Sequence, residues 1–244
     1  MKLELQTIPV WDAVQQESEC HICHLMKQAE QDCTNYYLGS SVMNPSTRVN
    51  VNQRGFCHHH WHSLLEIKNT QGLSLIEHTH LGEMQEYLTS SLNTLIEDPL
   101  RKKGIAHLTK KIQQRTKGCL ICSDMNQRLI RYLYTTVVLY EQDETFKEAL
   151  SLSKGVCLYH LPQLLEAAEL YLSKSVKKDF ISTLSQLTHT HLKRLEQELW
   201  WMTQKFKSEN KEKGWNNSED VHRRYIQKLT GEGRLYVEMS SKEK

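Results

Sequence analysis

The sequence predicts an all-α, mostly helical fold, and three observations support this. Ten glycines and four prolines in 244 residues are about half the usual share of ~12%, so there is little punctuation for a strand-and-turn fold. Apolar residues recur at helical three-and-four spacing over long stretches, most clearly from Val176 to Phe206. The cysteines fall in i,i+3 pairs, which share one face of a helix.

Composition narrows the function classes. Lysine plus arginine number 31 against 29 aspartate plus glutamate, a formal charge of +2. That balance excludes an acidic solvating chain or a wholly basic nucleic-acid wrapper. No stretch approaches the ~18 uncharged apolar residues of a membrane span, so no membrane partner is expected. Met1 to Gln16 has no basic, apolar or cleavage-site pattern of an export signal. A cytoplasmic location is expected, with the seven cysteines reduced.

Six of those cysteines spell one pattern twice. Cys20-His-Ile-Cys23 is followed, well along the chain, by Cys57-His-His-His60. Cys119-Leu-Ile-Cys122 is followed at almost the same interval by Cys157-Leu-Tyr-His160. The match continues around the ligands: Arg54-Gly55-Phe56 aligns with Lys154-Gly155-Val156, and Leu64-Leu65-Glu66 with Leu164-Leu165-Glu166. This is an internal duplication with a period of about 100 residues.

The spacing suits a metal. Two i,i+3 pairs facing each other from two helices can surround an ion tetrahedrally, and Zn²⁺ accepts three thiolates and one imidazole. Reading each copy as a unit gives Cys20, Cys23, Cys57 and His60 at one site, and Cys119, Cys122, Cys157 and His160 at the other. Two Zn²⁺ per chain are expected. Gly55 and Gly155 would supply the sharp entry to each CxxH, since glycine tolerates positive φ. Thiolates in a first helical turn also gain from backbone N–H groups and the helix dipole. An iron–sulfur cluster is the alternative, because thiolates with an occasional histidine also hold iron. Cys20–His24 reads formally as a haem-attachment CxxCH, but Ser123 at the equivalent place in the second copy argues against haem.

Four segments follow along the chain: 1–98, a first Cys₃His helical unit; 99–118, a basic connection; 119–172, a second Cys₃His unit; and 173–244, a C-terminal helical extension. In the first, Trp11 to Leu38 reads as one helix carrying CxxC. Val42 to Arg54, with Asn44-Pro45-Ser46, reads as an exposed connection. Helices are expected from Phe56 to Ile67 and Leu73 to Ile96. Arg101 to Lys117 holds seven basic residues and no acidic one, so it could meet nucleic-acid phosphate or an acidic partner; a solvated helix is the plainer reading. The second unit has a long helix through Asn126–Tyr140 and another from Pro162. In the extension, Phe180, Leu184, Leu187, Leu195, Leu199, Met202 and Phe206 form an apolar stripe with His191 at the missing step, a packing seam. Adjacent Trp200 and Trp201 cannot share one face. Ser218 reads as the N-cap of a last helix and Gly231 as its stop, with fraying from Met239 to Lys244.

Weaker constellations carry less. Glu77–His80 and Glu219–His222 each have the ExxH spacing of di-iron bundles, which needs two further converging glutamates. His58, His59 and His62 could exchange with His60 or orient it, or form an exposed histidine-rich turn. Cys33 has no counterpart in the repeat and reads as core. No phosphate loop, nucleophile elbow or HExxH appears, and no catalytic set identifies itself.

Together Thr7-Ile-Pro-Val-Trp-Asp12, Glu19–Cys23, Gly55–His60, Cys119–Cys122, Gly155–His160 and Trp215-Asn-Asn-Ser-Glu-Asp220 resemble a bacterial family of unknown function with paired Cys/His motifs. The resemblance covers nearly the whole chain. It implies a cytoplasmic helical protein with two metal-like sites and carries over no catalytic residue. The expected function is an interaction or regulatory module held by structural zinc, with an unknown protein partner.

Overall fold

The computed structural model describes residues 7–98 and 102–232, and within them every regular element is helical. In chain order they are α1 (Thr7–Val14), α2 (His21–Leu38), α3 (Pro45–Arg54), α4 (His58–Glu66), α5 (Thr70–Glu97) and α6 (Gly104–Lys117). Then come α7 (Leu120–Gln142), α8 (Glu144–Leu152), α9 (Leu161–Tyr171), α10 (Lys174–Lys205) and α11 (Val221–Thr230), with 3-10 turns at Ser40–Met43 and Ser208–Asn210. No described helix is long and apolar enough to cross a membrane.

The chain does not divide at the expected boundaries of 98, 118 and 172. One compact unit takes residues 7–28 and 128–232 of the described chain, and the other takes 29–98 and 102–127. The division falls inside α2 and inside α7. The described part of the segment 173–244 falls in the same unit as residues 7–28. Arg101 and Met239–Lys244 lie outside the described residues.

Local chemistry explains where the helices start. The expected single helix over 11–38 is broken between Val14 and His21. Cys20 therefore sits just ahead of α2, as Cys119 sits just ahead of α7. The expected exposed connection at 42–54 is instead mostly α3. The Asn44 side chain accepts the amides of Ser46 and Thr47 at 3.0 and 3.4 Å, and Pro45 takes the first helical position. Its ring fixes φ and its missing N–H would have had no helical partner there; a dipeptide read as a turn is a helix start. Asp143 does the same for α8, accepting from Thr145 and Phe146. Ser218 does not cap α11: its hydroxyl donates to the Trp215 carbonyl, and the helix opens after Asp220.

In the unit of residues 7–28 and 128–232, α10 supplies the longest packing surface. Phe180, Leu184, Leu187, Leu195 and Met202 are buried along it, as the stripe predicts, while Phe206 lies beyond the helix and is 78% exposed. Phe180 meets Tyr140 edge-on at 4.7 Å, a preferred aromatic geometry. Leu195, Met202 and Val221 cluster, with Leu199 against them, joining α10 to α11. The adjacent tryptophans do diverge: Trp201 donates to the Gly214 carbonyl, and Trp200 faces solvent. In the other unit α3 packs on α5 and α6, and α4 on α5. There Tyr37, Phe56 and Trp61 form a chain of edge-on rings 5.0–5.1 Å apart. Cys33 is buried, as expected of a core residue.

One buried ion pair ties α10 to the residue preceding Cys20. The two oxygens of the Glu19 carboxylate, 1% exposed, both accept from Nη2 of Arg194, at 2.6 and 2.7 Å. Arg194 also bonds Glu198, which Arg224 of α11 reaches in turn. Removing one partner of such a pair strands the other charge. Arg194→Ala is expected to destabilise this unit by about 3 kcal/mol in urea unfolding, with Glu19→Gln in the same chain recovering part of the loss; an unchanged midpoint would show that the pair does not matter.

Candidate metal centres

The eight predicted residues gather into two clusters of four, with the partners exchanged. Cys20, Cys23, Cys157 and His160 form one, and Cys57, His60, Cys119 and Cys122 the other. Each CxxC meets the CxxH of the other copy. The expected grouping within each copy is therefore replaced by a nested order, with one cluster enclosed in sequence by the other. Nothing in the spacing distinguishes the two pairings, because the copies are interchangeable; packing decides.

Helix starts position the ligands. Cys20 precedes α2 and Cys23 lies in its first turn, and Cys119 and Cys122 stand the same way at α7. The Cys23 amide donates to Cys20 Sγ and the Cys122 amide to Cys119 Sγ, both at 3.4 Å. The two CxxH segments differ. Cys57 caps α4, so His60 is in its first turn, whereas Cys157 to His160 form a turn ahead of α9. Pro162 accounts for that, since it sits at an early position of a helix that begins after the histidine. The expected glycines hold positive φ, +62° at Gly55 and +72° at Gly155. At Gly55 a Cβ would lie 2.9 Å from the His80 ring. His80 thus packs at the turn of Gly55 while Glu77 is exposed, and neither ExxH segment joins a metal-ligand group among the described residues.

The interatomic spacing fits a single ion. A tetrahedral centre with bonds of ~2.3 Å to sulfur and ~2.0–2.1 Å to nitrogen holds sulfurs ~3.8 Å apart and sulfur from nitrogen ~3.5 Å apart. Cys23 and Cys157 sulfurs are 3.7 Å apart, and His160 Nδ1 lies 3.5, 3.4 and 3.3 Å from Cys20, Cys23 and Cys157. Cys57 and Cys122 sulfurs are 3.8 Å apart, and His60 Nδ1 lies 3.2, 3.2 and 3.3 Å from Cys57, Cys119 and Cys122. Within each cluster all four ligand atoms fall within 4.8 Å of one another.

Charge gives the same answer. Three thiols at this range cannot all ionise by themselves, so their titrations split. The hydrogen bond from Cys122, then that from His60, brings Cys119 down to about 3, while the bond to Cys119 and burial push Cys122 up. In the other cluster burial opposes ionisation of Cys20, but bonds from Cys157, Cys23 and His160 outweigh it and hold its thiol low. The bond to Cys20 pushes Cys157 up to about 12, and bonds to Cys157 and Cys20 push Cys23 up. A dication would relieve this repulsion and let all three sulfurs carry charge.

The family follows from the whole chain. Residues 1–235 match the model described as "Family of unknown function (DUF6062)". The chain belongs to this family. No curated protein and no solved structure shows significant similarity to it.

In this family member the ligands are supported by residues that carry no motif. Glu30 Oε1 lies 3.5 Å from Nε2 of His60 and accepts from His59 Nε2 at 2.8 Å. The His60 contact, then that of His59, holds the Glu30 carboxyl below its ordinary range against the opposing effect of burial. At 3.5 Å the carboxylate acts on the far nitrogen of His60 by charge rather than by a hydrogen bond, favouring a proton there and leaving Nδ1 to face the sulfurs. Of the other histidines, His59 thus acts through Glu30, while His58 and His62 are exposed and stack on each other at 4.5 Å. Around the other cluster, the fully buried Lys228 ammonium donates to the carbonyls of Glu19 and Lys154 at 3.2 and 2.5 Å. Those carbonyls lie just upstream of Cys20 and of Gly155-Val-Cys157. The Glu232 amide donates to Cys23 Sγ at 3.3 Å. Gly231, whose expected role as a helix stop is met at φ +83°, stands where a Cβ would lie 3.6 Å from the Cys23 sulfur and 3.7 Å from that of Cys157.

The exchanged pairing has a direct signature. Under chelator competition, the Cys20→Ser, Cys157→Ser double variant is expected to keep about one equivalent of metal, and the Cys20→Ser, Cys57→Ser double variant none. The opposite result in metal analysis would restore pairing within each copy. Glu30→Gln is expected to weaken retention at the cluster of Cys57 by about 10–100-fold in chelator titration while leaving the cluster of Cys20 unchanged; equal weakening of both, or of neither, would remove this role.

Proposed function

We propose that the chain is a zinc protein whose two Cys₃His sites are structural, and that it serves as an interaction or regulatory module in a reducing compartment such as the cytoplasm. One observation carries this reading: in each cluster four protein ligands stand at the spacing of one ion's tetrahedron. Four protein ligands leave no position for water, which distinguishes structural from catalytic zinc. Such an ion holds two distant chain segments together, and its binding energy is then folding energy. No enzymatic activity is assigned.

The iron–sulfur alternative shares the ligand chemistry but not the spacing. Bridging sulfides between irons spread the protein ligands over several metal atoms, beyond one ion's coordination sphere. The deciding measurement is metal per chain, with a visible spectrum, on protein purified anaerobically without an affinity-tag metal. Two zinc ions and no colour are expected; iron with acid-labile sulfide would replace this reading with electron transfer or redox sensing.

A second reading concerns the partner. Lys110 and Lys117 on α6 and Lys103 at its N-cap recur every seven residues; Lys110 and Lys117 share one exposed face with His107 and Gln114, with Lys111 beside them. A helix face of this kind suits a polyanion, nucleic acid included. Retention on duplex DNA is expected at low salt, falling steeply as salt rises, and to be lost when the three lysines become glutamine. No retention at low salt would end this reading.

A further inference from the structure

The two clusters differ in access to solvent. Cys20, Cys23 and Cys157 are fully buried and His160 is 3% exposed. In the other cluster His60 and Cys119 are buried, but Cys57 and Cys122 are both half-buried. These two are also neighbours, with sulfurs 3.8 Å apart. Each stands at a helix start, Cys57 as the cap of α4 and Cys122 in the first turn of α7. A disulfide needs sulfurs at ~2.05 Å, and these two already stand in contact at 3.8 Å. A zinc-bound thiolate keeps nucleophilic character at neutral pH, since it is held deprotonated, and solvent access then decides which sulfurs an oxidant reaches.

From this juxtaposition we propose that Cys57 and Cys122 form a site of oxidative modification by hydroperoxides, which join the two sulfurs as a disulfide and so open the inner cluster while the outer one persists. The proposal rests on the zinc reading of the clusters. One of the two sulfurs attacks the peroxide oxygen, the O–O bond breaks, and the alkoxide or hydroxide fragment leaves with a proton from solvent as alcohol or water. The second sulfur then attacks the resulting sulfenic acid, forming the S–S bond and expelling hydroxide, which a second proton converts to water. Two electrons pass from the sulfurs to the peroxide. Cys119 and His60 alone are too few to hold the ion, which is released. Thiol reductant with zinc reverses the change.

The test uses the full-length protein as purified, with its metal content measured first. Hydrogen peroxide is added in small excess, metal release is followed with a chromogenic chelator, and the chain is alkylated, weighed and mapped by peptide mass spectrometry. The expected result is loss of one zinc equivalent of two, a mass lower by about 2 Da before alkylation, two fewer alkyl groups taken up than by the untreated chain, a Cys57–Cys122 linkage, and unoxidised Cys20, Cys23 and Cys157. Release of both ions together, or first linkage at Cys20, Cys23 or Cys157, overturns the proposal, as does full retention of both ions. If the protein carries no zinc at the outset, the zinc reading fails by itself, and the peptide map still decides whether Cys57 and Cys122 are joined first. Cys122→His retains a ligand and removes the disulfide; it is expected to keep its zinc under the same peroxide. Should that variant not fold, the order of maleimide alkylation in the unaltered chain replaces it: Cys57 and Cys122 before the other ligands supports the proposal, and any other order opposes it.

Discussion

Three sulfurs and one imidazole nitrogen packed within 4.8 Å, twice in one chain, form an arrangement that side chains do not hold by themselves. Thiols at that range ionise only in part, because each negative charge opposes the next. A single cation converts the repulsion into attraction, and the surrounding structure is arranged around that convergence. Helix starts aim the cysteines, positive-φ glycines turn the chain into each CxxH, and buried polar contacts hold the approach. Lys228 links the carbonyls upstream of both halves of one cluster, and the Glu30 carboxylate stands beside the far nitrogen of the histidine of the other.

The nested pairing costs little chain entropy. Closing both clusters within their copies would shut two loops of nearly equal length, Cys23 to Cys57 and Cys122 to Cys157. The observed inner cluster instead shuts the span from His60 to Cys119, which is less than twice as long as either. Once that is closed, the outer cluster need only join the two arms that flank it. Each doubling of a loop costs about 0.6 kcal/mol, so the exchange costs about 1 kcal/mol in all. Against about 10–16 kcal/mol for a structural zinc ion, packing is free to choose the partners.

That comparison explains what is legible in the sequence. The helical class and all eight clustered residues can be read from repetition and i,i+3 spacing, and the glycines from the steric demand of a sharp entry. The pairing cannot be read, because Cys57 to His60 and Cys157 to His160 satisfy either CxxC equally well. The helix at Pro45 is hidden by a residue pair that serves turns and helix starts alike. Glu19, Glu30, Arg194 and Lys228 carry no spacing signal; each matters through contacts with residues far along the chain, or through one face of a helix whose role appears only when its neighbour is present.

Nested ligands also impose an order on synthesis. As the chain leaves the ribosome, Cys20 and Cys23 emerge first and must wait past the whole of the inner pair before Cys157 and His160 appear. The inner four are complete with Cys122, the outer four only with His160, and the amide of Glu232 reaches Cys23 later still. The first thiols made are thus the last to be enclosed, and a nascent chain interrupted after Cys122 and before Cys157 would present one finished cluster and one bare CxxC.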